Sequence, residues 1–149
     1  MNSKKILPGL LVVLAATYSL GVTAMETVPL TIVVNNVKEV RAGQLTVFVF
    51  LKEGFPKEHE KAIFTFSRPV DHQRMPMNIS VPLLGPFAIK ILHDENMDGK
   101  VTKNWTGIIP RDGIGFSNGA RIGFGPPNFD DAKVSDAKNL GQTFELQYF

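Results

Sequence analysis

Short runs in which apolar residues recur at every second position dominate this sequence, and turn residues separate the runs. In the run VPLTIVV, Leu30, Ile32 and Val34 share one face, and the Asn-Asn pair at 35–36 ends the run. The run QLTVFVFL, which follows Gly43, is mostly apolar on both of its faces. The first run therefore predicts a strand with one face in a core, and the second predicts a central strand that is covered on both sides.

The same pattern recurs further along the chain and brings the predicted strands to about seven. The further runs lie at 62–66, 77–83, 87–92 and 143–148, with 132–134 as a weaker candidate. The heptapeptide PKEHEKA at 56–62 is long enough for a helical turn or two, and no long helical period intervenes elsewhere. The pattern predicts an all-β fold, namely an antiparallel Greek-key sandwich.

The stretch at 107–131 departs from this pattern because glycine and proline crowd it. It contains six glycines and three prolines, which is more than a helix or a regular strand tolerates. We therefore expect a long ordered loop that covers one open end of the sheets. Its apolar side chains should pack down on the sandwich, and they are Ile108, Ile109, Ile114, Phe116, Ile122, Phe124 and Phe129.

The N-terminus has the features of an export signal. Lys4 and Lys5 precede an apolar stretch at 6–22, and small residues at 22–24 match what signal peptidase accepts. This pattern predicts a signal peptide at 1–24 and a single exported domain at 25–149, in the periplasm or outside the cell. A retained membrane anchor is the alternative, but the uncharged stretch contains proline and glycine and barely reaches the length of a membrane span.

Charge and cysteine content exclude several classes of function. Without Lys4 and Lys5, the 16 basic residues fall to 14, which equals the 14 acidic residues. A balanced chain without a clustered basic stretch gives no electrostatic footprint for nucleic acid or for an anionic membrane surface. Cysteine is absent, so the chain has no disulfides, no thiolate catalysis and no zinc–thiolate site.

The segment HDENMDGK at 93–100 carries the candidate chemistry. Asp94, Asn96 and Asp98 fall at positions one, three and five of a calcium-loop pattern, with Gly99 sixth and the backbone carbonyl of Lys100 seventh. The twelfth position is a tryptophan, which excludes the helix-loop-helix form because no bidentate carboxylate closes the shell. A remote carboxylate would then have to complete the site, and the candidates are Asp112, Asp130, Asp131 and Glu95.

A tight turn between two strands is the alternative interpretation of this segment. Asn, Asp and Gly are also the residues that turns require, and the incomplete ligand set favours the turn over calcium. His93 beside Asp94 and Glu95 leaves a mixed imidazole–carboxylate site for a transition metal open as a variant.

Three ordered segments carry a resemblance to a known family. The chain resembles the bacterial domain of unknown function 2141 family, whose members share a His-Asp-Glu-Asn strand end, a Gly-Phe-Ser-Asn segment and a Pro-x-Phe-x-Asp-Ala segment. Here these are residues 93–96, 115–118 and 127–132. The resemblance implies an exported bacterial β-sandwich, similar to immunoglobulin-like or prealbumin-like modules, and it implies no established activity, substrate or catalytic residue.

Two functional hypotheses follow. The leading one is a non-enzymatic binding or structural module whose loop at 93–99 and Gly-rich segment form one rim that binds a cation or a protein or cell-envelope partner. The residues of this rim are His93, Glu95, Trp105, Phe116, Ser117 and Asn118. Trp105 and Phe116 either form an exposed aromatic platform or, as we favour, anchor the long loop by burial.

The alternative hypothesis is a hydrolase or metalloenzyme that uses His93, Asp94 and Ser117. Residues 115–119 match the G-x-S-x-G nucleophile elbow, but the sequence predicts neither the strand before Ser117 nor the helix after it. The enzyme therefore requires these three side chains to converge in space.

Overall fold

The computed structural model describes residues 27–82, 85–135 and 141–149, so the predicted signal peptide lies outside the described residues. The strands are β1 (Val28–Asn35), β2 (Gln44–Phe50), β3 (Phe64–Pro69), β4 (Met75–Val81), β5 (Ala88–Asp94), β6 (Gly113–Phe116) and β7 (Gly141–Glu145). A single-turn helix, α1, spans Phe129–Ala132, and 3-10 turns lie at Glu39–Arg41, His59–Lys61 and Ser117–Gly119. Within the described ranges, no helix is long and apolar enough to cross a membrane.

The strands form two sheets, in the orders β4-β1-β7 and β3-β2-β5-β6. Alternation places Leu30, Ile32 and Val34 of β1 in one apolar core with the inward residues of the other sheet. These inward residues are Leu45, Val47 and Val49 of β2 and Ile89 and Ile91 of β5, all fully buried. The predicted all-β sandwich is therefore confirmed.

One strand pair differs from the predicted antiparallel arrangement. β1 and β7 run parallel, with Thr31 opposite Gly141 and Asn35 opposite Glu145, whereas the other described pairs are antiparallel. A parallel neighbour requires a long crossover, and here the chain forms β2 and β3 in the second sheet, β4 in the first, and β5 and β6 in the second before it forms β7.

A third layer of loops covers the outer face of the four-stranded sheet. As predicted, β2 is buried on both sides, because Phe48 and Phe50 point away from the sandwich core into a second apolar cluster. This outer cluster also contains Leu92 of β5 and Phe116 of β6. Phe55, from the loop after β2, packs against the cluster.

The Gly-rich stretch is not one uninterrupted loop as predicted, because β6 and α1 lie inside it. Gly113 and Gly115 are strand residues, and a Cβ on Gly113 would come within 2.5 Å of the Tyr148 ring. A Cβ on Gly115 would lie 3.3 Å from Leu146. The two glycines therefore let the C-terminal segment pass close over β6. Glycine is required here by close packing and not by a turn.

The weak strand candidate at 132–134 is wrong, and β6 supplies the seventh strand in its place. Ala132 ends α1, and Val134 forms an isolated bridge with Phe87. The predicted helical turn in PKEHEKA is confirmed as the 3-10 turn His59–Lys61.

Candidate functional site

A groove of about 880 Å³ opens on the outer face of the four-stranded sheet. Residues 98–101 line the groove together with residues 107–110 and 122–126 of the Gly-rich segment. Lys90, Ile114 and Phe116 line the groove from the sheet itself, and residues 56–60 complete it. The structure thus places the two segments of the hypothetical rim beside one cavity.

Lys90 lies on the sheet side of this groove, between Ala88 and Leu92 of the outer cluster on the same face of β5. Lys90 is only 4 % exposed. Its Nζ donates to the Pro56 carbonyl at 3.0 Å and lies 2.7 Å from His59 Nε2. No carboxylate of the described residues forms an ion pair with Nζ. Burial lowers the pKa of Lys90 to about 8, against a smaller opposing effect from the negative charge of Asp112.

His59 orients the amine of Lys90. Its Nδ1 lies 2.9 Å from the Gly99 carbonyl, which only accepts, so Nδ1 carries the proton and Nε2 accepts from Lys90. The ring stacks on Phe48 with centroids 4.0 Å apart. Burial lowers the pKa of His59, and the charge of Lys90 lowers it further, so the neutral ring is favoured.

The loop at 94–99 holds Gly99 in place through hydrogen bonds of the kind found in tight turns. Asp94 Oδ2 accepts from the backbone N–H of Gly99 at 2.8 Å, and its Oδ1 accepts from that of Asp98 at 3.2 Å. Asp98 Oδ1 in turn accepts from the N–H of Lys100 at 2.8 Å. A contact chain therefore runs from Asp94 through Gly99 and His59 to Lys90.

The predicted remote ligands lie in different surroundings. Asp112 is buried and accepts from the N–H of Thr102 at 2.6 Å; burial raises its pKa, and the charges of Glu95 and Asp94 raise it further. Asp130 pairs with Lys133 at 3.0 Å, which lowers the pKa of that carboxyl. Asp131 accepts from the N–H of Asn128 at the start of α1.

The negative charge of Asp94 acts on the carboxyl of Asp112 and helps to raise its pKa. Across the described residues, no three histidine, aspartate or glutamate side chains are grouped as metal ligands usually are. Calcium binding by Asp94, Asn96, Asp98 and the Lys100 carbonyl remains a prediction.

Of the six predicted rim residues, Phe116 is the one that lines the groove, and His93 and Glu95 make contacts elsewhere. His93 is fully buried, with Nε2 donating to the Ala42 carbonyl at 2.6 Å and Nδ1 at 2.7 Å from the Tyr148 hydroxyl. Glu95 forms an ion pair with Arg41 at 2.8 Å. The favoured burial of Trp105 is wrong, since its side chain is 96 % exposed, whereas Phe116 is buried as expected.

Ser117 holds the outer layer to the sheet. Its buried Oγ donates to the Ala132 carbonyl at 2.5 Å and accepts from the N–H of Ile89 at 2.8 Å. His93 is four residues farther along β5 than Ile89, which places it about 13 Å away. Asp94 points to the opposite face of the strand from His93, so the three side chains of the hydrolase hypothesis do not converge.

The surroundings of Ser117 also differ from the nucleophile elbow. β6 does precede it, contrary to the sequence expectation, but a three-residue 3-10 turn follows where the elbow needs a helix. The neighbouring Asn118 has positive φ and donates through Nδ2 to the Asp131 carbonyl at 3.0 Å. Asn118 thus ties the turn to α1.

Sequence reasoning missed Lys90 and His59. The available signal was a lysine in the middle of the run FAIKIL, at a position where both faces of the strand are covered. Such a lysine is rarely buried without a partner, so its position pointed to a specific contact.

Most of the chain matches a known protein family. A family model described as "Uncharacterized protein conserved in bacteria (DUF2141)" matches residues 32–142. The chain belongs to this bacterial family. The resemblance seen in the sequence is thereby confirmed, and the matched residues of the DUF2141 family run from β1 into β7 and include the groove residues other than Phe149. Neither the curated proteins nor the solved structures contain a match to the chain.

Proposed function

We propose that this DUF2141 protein is an exported, non-enzymatic binding module whose ligand site is the groove at Lys90. The observation that carries the proposal is a buried lysine beside a cavity, to which no carboxylate in the described part of the chain is paired. Buried charges are normally paired, so a lysine in this position is matched to a group that arrives from outside.

The geometry indicates the chemical class of the ligand. A lysine ammonium has three N–H donors, and Pro56 and His59 accept from two of them. The third donor is left for an acceptor in the groove. Apolar side chains such as Ile114, Phe116 and Ile122 line the remaining surface, and the groove volume lies in the range of small-molecule sites. The fitting ligand is a small amphiphile with an apolar body and an anionic group.

The amphiphile 1-anilinonaphthalene-8-sulfonate tests this proposal because it combines an aromatic body with a sulfonate. We expect it to bind with enhanced fluorescence and to be displaced by decanoate. Lys90→Met should weaken binding by about tenfold or more, because a charge-assisted hydrogen bond is lost. Lys52→Met is the matched control, since Lys52 is exposed and lies outside the groove.

The two variants must show the same circular dichroism and cooperative melting as the wild type before their affinities are compared. Equal binding by wild type and Lys90→Met would refute the assignment of the groove. Loss of binding in both variants would assign the dye to nonspecific charge contacts and would refute it as well.

Within this proposal the loop at 94–100 is a tight turn, and a divalent cation held there is the alternative. Calcium held by Asp94 and Asp98 would fix Gly99, and the Gly99 carbonyl positions His59 against Lys90. Cation binding would therefore act on the ligand site through the loop rather than at the ligand itself.

A further inference from the structure

Two loop tips beside the groove expose large apolar side chains to solvent. Trp105 and Ile108 are 96 % and 77 % exposed at one tip, and Phe124 is fully exposed at the other. Ile108, Phe124 and the half-exposed Phe149 all line the same groove, so these side chains belong to one region of the surface. Exposed apolar side chains that cluster in this way mark an interaction surface.

The first tip is a hydrogen-bonded hairpin that holds its apolar residues away from the protein. Lys103 and Pro110 form a bridge at its base, and the N–H of Asn104 donates to the Ile109 carbonyl at 2.8 Å. Asn104 Oδ1 accepts from the Thr106 hydroxyl at 2.6 Å. Since these bonds fix the tip, Trp105 projects outward instead of folding back over the groove.

The second tip is short and places one aromatic ring in water. Phe124 lies between Gly123 and Gly125, and the N–H of Gly123 donates to the Gly125 carbonyl at 3.1 Å. At the base of this tip, the N–H of Ile122 donates to Gln147 Oε1 at 2.9 Å, which ties the loop to the C-terminal segment. The exposed ring thus extends from an anchored base.

The exposed charged side chains around these tips are mostly basic. Residues 99–129 contain Lys100, Lys103, Arg111 and Arg121 and a single acidic residue, Asp112, which is only 2 % exposed. The four basic residues are exposed. On the groove wall, the acidic groups are Glu60 and Asp98, and Asp98 is engaged in the hydrogen bonds of its own loop. The balanced charge of the whole chain therefore conceals a basic, apolar surface.

We propose that these two tips dock on the surface of an anionic lipid bilayer. Trp105, Ile108 and Phe124 would enter the interfacial region, where tryptophan and phenylalanine are favoured, while the flanking basic side chains face the lipid phosphates. A protein partner would more often present a shaped pocket, whereas separate apolar tips among cations suit a fluid, negatively charged surface. The inference rests on the loop tips and does not depend on a ligand in the groove.

Trp105 is the single tryptophan of the chain and reports on this docking without any label. The protein is purified after export and processing by its host cell, and its N-terminus is recorded by mass spectrometry. With mixed phosphatidylcholine–phosphatidylglycerol vesicles, we expect its emission to move to shorter wavelength and to be quenched by brominated lipid. Phosphatidylcholine alone should give much weaker binding, and added salt should reverse the binding.

Variants separate the two components of the surface. Lys100→Gln and Lys103→Gln should each weaken vesicle binding by about fivefold. The double variant Ile108→Ser/Phe124→Ser should abolish the wavelength shift. Val40→Ser is the control, since Val40 is 91 % exposed and belongs to a different loop. Lys90→Met should bind vesicles as the wild type does.

Several outcomes would overturn the proposal. An unchanged Trp105 spectrum with anionic vesicles would refute docking, as would equal binding by the Val40→Ser control and the double variant. A wavelength shift that depends on protein concentration without vesicles, together with a dimer in sedimentation, would assign the surface to self-association. A shift that Lys90→Met abolishes would assign lipid binding to the groove.

Discussion

Lys90 makes the stability of this protein depend on pH in the alkaline range. The folded protein holds the pKa of Lys90 at about 8, whereas the ordinary value in an unfolded chain is 10.5. Between these values the unfolded state binds more protons, so the free energy of unfolding rises with pH. The contribution is complete above pH 10.5 and is lost as pH falls through 8.

The test compares wild type with Lys90→Met, which has no amine to titrate. From pH 7 to pH 10.5 we expect the free energy of unfolding of the wild type to rise by roughly 3 kcal/mol relative to the variant. Urea unfolding at a series of pH values measures this difference. A difference that stays constant with pH would mean that the folded protein does not depress the pKa of Lys90.

His59 acts in a separate, acidic window. Its folded pKa lies below the ordinary value of 6.5, so its contribution to stability is present above pH 6.5 and is lost as pH falls through the folded pKa. The contributions of Lys90 and His59 to the free energy of unfolding therefore fall in different pH ranges, and unfolding measured as a function of pH separates them.

At the residue scale, the sequence predicts which side chains are buried better than it predicts which side chains contact each other. The alternation in β1 and β2 correctly marks Leu30, Ile32 and Val47 as core residues, because burial depends on local period. Lys90 and His59 are 31 positions apart, and their contact depends on how the loop after β2 folds over the sheet. No local pattern encodes that contact.

At the scale of an element, the loop between β5 and the first tip carries a prediction about calcium binding. Asp94 and Asp98 already accept backbone N–H groups of their own loop, and calcium would have to compete with these hydrogen bonds. We therefore expect the melting temperature of the wild type to be the same with calcium and with a chelator. Asp94→Ala should cost about 1–3 kcal/mol under both conditions, because it leaves the partly buried N–H groups of Asp98 and Gly99 without their acceptor.

Differential scanning calorimetry measures both quantities, and Asn96→Ala is the control from the exposed part of the loop. A melting temperature that rises with calcium in wild type and not in Asp94→Ala would establish the cation site instead. In that case, Asp112→Asn would show whether the remote carboxylate completes it.

Element boundaries show where sequence reasoning works and where it stops. The predicted runs at 77–83 and 87–92 lie within two residues of β4 and β5, because β4 alternates and β5 is a mostly apolar run that is buried on both faces. β6 was missed because glycine normally breaks strands. At Gly113 the reason for glycine is the Tyr148 ring, which arrives from the end of the chain.

At the scale of the whole molecule, the protein has two apolar clusters that share the four-stranded sheet. The sandwich core lies on one face, and the outer cluster lies under the loop layer on the other. Phe55 packs at the centre of this outer layer. Its ring centroid lies 5.7 Å from the ring centroid of Phe50 and 5.9 Å from those of Phe116 and Phe129. The groove and both loop tips therefore depend on the outer cluster more than on the sandwich core.

This division predicts that the outer layer opens independently of the sandwich. Phe55→Ala should remove about 2–3 kcal/mol, since the ring is partly buried among three other rings. In hydrogen exchange followed by mass spectrometry, we expect faster exchange in β6 and α1, while β1 and β4 keep their protection. Phe124→Ala is the control, because that ring is fully exposed. Equal acceleration in β1 and β6 would mean that both clusters unfold as one cooperative unit, and the groove could then change shape only when the whole domain unfolds.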